Sequence, residues 1–164
     1  MNVNHSPHVP SNDTLDAARA HFEKFLRGKD LKLTNQRWDV LEAAARIGEH
    51  FSADDLVDSL RRKKIRPSKA TIYRTLSLLT EAGVLDSHEF QQNASSIYEF
   101  SWGRSHHDHL ICLNCRAIVE FFNQPIEDLQ EKVAADHAFH PLSHSQKIYG
   151  ICSKCWGKGV RTIG

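Results

Sequence analysis

The sequence predicts an α+β chain in two parts, an N-terminal winged helix-turn-helix followed by a small C-terminal α/β unit. Three observations predict it. Apolar residues recur at helical spacing in successive stretches up to Gly83, and two alternating strands follow directly. Beyond Ser105 the pattern changes to alternating strands around a single helix. At that change the run His106-His107-Asp108-His109-Leu110-Ile111-Cys112-Leu113-Asn114-Cys115 collects imidazoles, a carboxylate and a thiol pair, the side chains that hold metal ions.

Residues 1–13 include Pro7 and Pro10, show no apolar period and read as a mobile arm. Leu15, Ala18, Phe22, Phe25 and Leu26 then recur at helical spacing from Thr14, and Gly28 sits where such a helix stops. Thr34 is the N-cap of a second helix, with Trp38, Leu41, Ala44 and Ala45 on one face and an end near Gly48. Ser52-Ala53-Asp54-Asp55 resembles a capping box, and Leu56, Val57 and Leu60 form the stripe of the helix it starts. Ser68, after Pro67, caps a fourth helix whose Ile72, Leu76, Leu79 and Ala82 face inward until Gly83 stops it. Its other face shows Lys69, Thr71, Tyr73, Arg74, Ser77 and Thr80.

A merely solvated helix face also looks like that. What decides between the readings is the hairpin that follows, Val84 to Phe90 and Ser96 to Ser101 around Gln91-Gln92-Asn93, because helices plus a hairpin make a winged helix spanning 14–101. Arg61, Arg62, Lys63, Lys64, Arg66, Lys69 and Arg74 fall together with no acidic residue among them. That is the local field phosphate backbones need, although the formal net charge of +1 makes no such argument for the whole chain.

Residues 102–105 read as a hinge, and 106–164 as the second unit. His106 to Cys112 and Ala117 to Phe122 alternate as strands. Pro125 opens a helix to about His137 with Ile126, Leu129 and Val133 inward, and a last strand from about Leu142 to Ile151 delivers Cys152-Ser153-Lys154-Cys155. In a strand, His107 and His109 point one way and His106 and Asp108 the other, so one strand serves two metal sets. The second Cys-x-x-Cys uses up the four cysteines of the chain, which favours paired metal thiolates. At about 60 residues this unit is marginal alone, and oligomerisation is a usual remedy.

Hydrophobic residues make up 40% and charged residues 25% of the chain, the balance of an ordinary globular protein. No apolar run is long enough to span a bilayer, and Met1 to Asp13 lacks the order of a signal peptide, so a cytoplasmic protein is expected. A reducing compartment again favours metal thiolates over disulfides.

With these residues in view, the chain resembles the ferric uptake regulator family, metal-responsive bacterial repressors with a winged helix and a dimerisation domain. The likeness covers about residues 15–156. It rests on Ala70-Thr71-Ile72-Tyr73-Arg74, on His106 to Cys115, and on Gly150-Ile151-Cys152 with Cys155. The resemblance implies a homodimer on a pseudo-palindromic DNA operator, contacted by Lys32, Arg37, Lys69, Thr71, Tyr73 and Arg74. It implies one structural Zn2+ per chain on Cys112, Cys115, Cys152 and Cys155. It implies a regulatory Fe2+ on His50, Glu99, His107, His109 and Glu120, with Mn2+ or Zn2+ as other occupants, and a second metal set of His106, Asp108, Glu127 and His144. The regulatory ligands would then come from both parts of the chain, and metal binding would clamp them.

The resemblance thus implies a non-enzymatic repressor that senses ferrous iron and controls iron-uptake genes. Its rivals are the peroxide-sensing and zinc-sensing branches. The peroxide branch tends to carry Asp where this chain has Glu99 and Glu120, whose longer carboxylates allow a different, bidentate reach. A metallohydrolase would need an open coordination position and a placed general base, and simple metal storage would leave the winged helix without a purpose. His21, His88, His137 and His140 are read as ordinary surface or core histidines.

Overall fold

The computed structural model describes residues 9–48, 50–88 and 96–162. The chain divides between Arg104 and Ser105, inside the stretch read as a hinge, into two compact units. The arm residues 1–8 and the hairpin tip 89–95, including Gln91-Gln92-Asn93, lie outside the described residues.

The first unit opens with α1 (Asn12–Arg27), which starts two residues before the expected Thr14. The reason is local: the Ser11 side chain accepts from the Thr14 amide, so Ser11 is the N-cap and Asn12 and Asp13 belong to the helix, not the arm. α2 (Asn35–Ile47) is capped by Thr34 and closed by Gly48 at φ 72°, where a side chain would be strained. β1 (Phe51–Ser52) is a short strand that the local pattern does not announce. α3 (Ala53–Arg62) has the full capping box, with the Ser52 hydroxyl accepting from Asp55 N and the Asp55 carboxylate accepting from Ser52 N at 2.8 Å. α4 (Lys69–Glu81) is capped by Ser68, and Gly83 at φ 68° turns the chain out of it.

β2 (Leu85–His88) and β3 (Ile97–Phe100) form the hairpin, and the sheet order is β1-β3-β2, antiparallel throughout. The apolar stripes meet in one core: Leu15, Phe22, Leu26, Leu41, Phe51, Leu56, Leu60, Leu76, Leu79 and Leu85 are all buried. Such large side chains contribute about 1.5–3 kcal/mol each on burial, so this unit holds its shape by apolar packing.

The second unit is built differently. β4 (Asp108–Cys112) is its central strand, antiparallel to β5 (Ile118–Phe121) and parallel to β6 (Lys147–Gly150), with α5 (Gln124–Asp136) as the crossover. The short α6 (Ser153–Gly157) carries Cys155 and has no counterpart in the helical period of the sequence. Here the buried set among the described residues is Ile111, Cys112 and Cys155 with the polar Asp108, His109 and Glu127. Thiol, imidazole and carboxylate side chains occupy the places that Leu and Phe occupy in the first unit.

The last strand is shorter than the expected Leu142 to Ile151, and one helix faces differently from its expectation. Leu129 and Val133 of α5 do not face inward; they are 62% and 58% exposed, and only Ile126 of that stripe is partly covered. Helical spacing shows that a stripe needs a cover, not that the same chain supplies it.

Candidate metal centres and nucleic-acid interface

The thiols meet because β4 and β6 run parallel, which brings Cys112 at the end of one beside Gly150 at the end of the other. After Cys112 the chain turns tightly: Arg116 N donates to Cys112 O and Cys112 N to Ala117 O, with Arg116 at φ 60°. Cys115 is thereby folded back. Cys152 caps α6 and Cys155 lies in its turn. The Sγ atoms of all four lie within 4.8 Å of one another, and none is in a disulfide. Cys152 N donates to Cys112 Sγ at 3.3 Å and Asn114 Nδ2 to Cys155 Sγ at 3.2 Å, the bonds that stabilise thiolates. Burial pushes the Cys112 thiol up, but the amides of Cys115, Cys152 and Asn114 outweigh it and bring it down to about 6. Cys115 is pushed up to about 12: the Ala117 amide lowers it, but burial and the neighbouring sulfurs together outweigh that amide. Four convergent sulfurs with one readily ionised have the make-up of a closed structural zinc site.

The second set is also internal to this unit. His106 Nε2 lies 2.8 Å from His144 Nε2, 3.5 Å from Asp108 Oδ1 and 3.6 Å from Glu127 Oε1, and His144 Nε2 lies 2.7 Å from Glu127 Oε2. Gln146 N donates to Asp108 Oδ1, orienting that carboxylate. Asp108 Oδ2 and Glu127 Oε1 are buried with no hydrogen-bond partner, a cost a divalent ion would relieve. Of the four residues expected to share this set, His106, Glu127 and His144 bring donor atoms within 4.8 Å of one another, and Asp108 stands beside His106 without joining that cluster.

The remaining residues lie in different units, each described by itself. In the second unit, His109 and Glu120 are direct cross-strand partners on β4 and β5. The His107 ring centroid is 5.0 Å from that of His109, and its Nε2 is 4.0 Å from Glu120 Oε1. His107 Nδ1 is 2.9 Å from the Ser105 carbonyl, which only accepts, so Nδ1 carries the proton and in the neutral ring Nε2 keeps its lone pair for a ligand. His107 and His106 precede β4, yet they divide as the strand alternation predicts.

In the first unit, the register sets Phe51 against Tyr98, so His50, one residue before β1, falls across from Glu99. His50 Nε2 is 3.1 Å from Glu99 Oε2. A third residue joins them. His88 pairs with Ile97 on the neighbouring strand, which makes it the diagonal neighbour of Glu99 on the same face. Its Nε2 is 3.8 Å from Glu99 Oε2, its ring is 5.4 Å from that of His50, and it is 1% exposed. His88 is therefore not the ordinary core histidine that the sequence suggests; it is part of a two-imidazole, one-carboxylate set. The other three fit the ordinary reading: His21 bonds the Ala82 carbonyl against Trp102, and His137 and His140 are exposed.

On α4, Lys69, Tyr73, Arg74 and Ser77 are exposed while Ile72, Thr75, Leu76 and Leu79 are buried. Tyr73 presents half its surface to solvent. Thr71 is half-buried and its hydroxyl is engaged with that of Ser68 in the cap, so its part is to fix the start of the helix. Lys32 is exposed, and the Arg37 guanidinium donates to the Lys32 carbonyl, which shapes the turn into α2.

A winged helix with a basic, aromatic outer face, joined to a unit that exists around thiolate and imidazole–carboxylate sets, defines a metal-responsive transcription regulator. Residues 28–149 match the model of the ferric uptake regulator family. The ferric uptake regulation protein of Neisseria meningitidis is 36% identical over 137 residues, 83% of this chain and 94% of the relative. The structure of the Helicobacter pylori ferric uptake regulator, which reveals three functional metal-binding sites, aligns with a TM-score of 0.74 at 27% identity, over 92% of this chain and 97% of that one. A zinc uptake regulator in complex with zinc and DNA aligns with a TM-score of 0.52 at 26% identity, over 91% and 99%. The chain belongs to the ferric uptake regulator family.

Proposed function

We propose that the protein is a DNA-binding repressor that senses ferrous iron and controls iron-uptake genes, acting in the cytoplasm as a homodimer on a pseudo-palindromic operator. The carrying observation is the separation of donor types. The sulfur is collected in one closed set, whereas His50 with Glu99, and His107 with His109 and Glu120, offer nitrogen and oxygen only. Such mixed sets suit ferrous iron or manganese, whereas the thiolates suit zinc. The Neisseria relative's name supports iron as the signal.

In this reading those five residues are the regulatory ligands, the four cysteines hold structural zinc, and His106, Asp108, Glu127 and His144 hold a further ion. A ligand shifts a conformational equilibrium only by its differential affinity, and ligands drawn from 14–101 and from 106–164 supply that difference. The helix Lys69–Glu81 would enter the major groove with Tyr73, Arg74 and Lys69 leading, supported by Lys32 and Arg37 at the backbone. The zinc uptake regulator in complex with DNA supports duplex DNA as the partner. The exposed α5 stripe supports the homodimer.

The test is anaerobic operator binding with the cysteine zinc retained, titrated separately with ferrous iron, manganese and zinc, then repeated after dilute peroxide. Activation by ferrous iron at concentrations cells hold supports the reading. Activation by zinc at far lower free concentration moves the protein to the zinc-sensing branch. Rapid loss of binding with oxidised His50 or His107 moves it to the peroxide branch.

A further inference from the structure

The two oxygens of Glu99 keep different company. Glu99 lies on the central strand β3 and is 2% exposed. Its Oε2 faces the imidazoles, 3.1 Å from His50 Nε2 and 3.8 Å from His88 Nε2. Its Oε1 is ion-paired with the guanidinium of Arg104, a half-buried residue from the stretch the sequence marks as a hinge. All four residues belong to the first unit.

We propose that Arg104 is a positioning residue that holds Oε1 of Glu99 and leaves Oε2 as the one oxygen this unit offers to the regulatory ion, beside His50 and His88. The inference rests on the reading of Glu99 as a regulatory ligand. A free glutamate can turn both oxygens to a cation and chelate it. Here that would require breaking a charge-assisted bond to a guanidinium, inside a buried setting where such bonds are strong. Arg104 therefore fixes Glu99 as monodentate and rules out the bidentate reach that the length of the side chain alone allows. Two imidazoles and a single carboxylate oxygen are then what this unit contributes, donors of the kind that suit ferrous iron.

Arg104 also sets the threshold for binding. Before metal arrives, it neutralises a carboxylate that would be costly to bury alone. After metal arrives, its charge stays beside the ion and weakens the hold on it. A neighbouring guanidinium weakens a carboxylate's grip on a proton by about one to three orders of magnitude, and acts on a dication in the same direction.

The experiment uses the full chain with zinc on the cysteines and cobalt(II) as the probe of the regulatory set, read by its visible d–d bands and its affinity. Arg104→Met should lower the intensity of those bands, as the freed oxygen raises the coordination number, and should tighten cobalt binding by roughly tenfold or more. Arg104→Lys, which keeps the charge, should stay close to wild type. Because Arg104→Met can also disturb folding, the infrared difference between the wild type and Glu99→Gln in their cobalt forms gives a second reading. A widely split pair of carboxylate stretches is monodentate and supports the proposal; a closely spaced pair is chelating and overturns it. Arg104→Met bands identical to wild type, with Glu99→Gln altering them, overturn the role of Arg104 and leave Glu99 a ligand. Unaltered bands and affinity in Glu99→Gln overturn both the inference and the reading beneath it.

Discussion

Cys115 Sγ and Cys152 Sγ lie 3.6 Å apart although they stand 37 positions apart in the chain. A disulfide would hold them at about 2.05 Å. A tetrahedral ion with metal–sulfur bonds of about 2.3 Å sets sulfurs about 3.8 Å apart, which is close to what is seen. Binding there joins the turn after β4 to the α6 turn, and in a unit with so small an apolar core it is folding free energy, of order 10 kcal/mol for structural zinc. Cys112→Ser and Cys152→Ser are each expected to lose zinc and unfold residues 106–164, while the first unit keeps its helices. Elemental analysis with hydrogen exchange checks this, and normal zinc in both variants would sink it.

The His106–His144 pair makes a separate prediction. At 2.8 Å only one proton fits between the facing nitrogens, and two buried carboxylates stand beside them. His144→Ala is expected to remove one equivalent of bound divalent metal without touching the cysteine zinc, because the two sets share no side chain. Equilibrium dialysis with manganese reads the difference; unchanged stoichiometry would show that the pair holds no metal.

The start of α3 is testable by pH. The Ser52 hydroxyl and then the Ser52 amide donate to Asp55 and hold its carboxyl below the ordinary value of 3.8. A depressed carboxyl contributes stability that is fully present above its unfolded value and is lost as pH falls through the folded one. Ser52→Ala is expected to cost about 1 kcal/mol at neutral pH. The difference between wild type and Asp55→Asn in amide exchange along α3 should shrink as the pH drops below about 4. A difference that persists at pH 2 would mean the box acts through something other than charge.

How far the sequence reaches follows from the range of each signal. The caps at Thr34, Ser52 and Ser68 and the stripes of α1 to α4 depend on residues three or four apart, and the structure has them where the sequence puts them. The cysteine sets are legible because spacing alone is unusual enough to point at a metal. His88 is not, because its link to Glu99 is a diagonal contact that exists only once β2 and β3 are paired in register. Arg104 is hidden in a stretch that reads as a hinge, since nothing local tells which carboxylate a guanidinium will meet. In α5 the period is right and the direction wrong, because a stripe says nothing about which chain covers it.

That stripe yields the next prediction. Leu129 and Val133 stand one turn apart on α5, exposed, with Phe139 and Leu142 also exposed beyond the helix. A unit this size with so much apolar surface uncovered gains stability by pairing with another copy. Leu129→Glu and Val133→Glu are expected to shift sedimentation from dimer to monomer and to weaken operator binding, while zinc stays bound. Sedimentation unchanged in the double variant would place the dimer contact elsewhere.

Tyr73 and Arg74 are neighbours on α4, and they are expected to fail in different ways. Tyr73 exposes half its surface and carries a planar ring fit for a base edge or a thymine methyl, so Tyr73→Ala should relax preference at one operator position at a cost of about 1–3 kcal/mol. Arg74 offers either a bidentate guanine contact or a phosphate contact, and salt dependence separates the two. If Arg74 holds a phosphate, Arg74→Ala weakens every sequence alike and lowers the slope of log K against log salt by about one; if it holds a guanine, preference falls at a single position. Lys69, at the N-terminal end of the same exposed face, should behave as a phosphate contact only. Fluorescence anisotropy over a panel of single-base operator variants, at several salt concentrations, reads all three. If Tyr73→Ala and Arg74→Ala bind the whole panel as the wild type does at moderate salt, α4 is not the element that reads DNA.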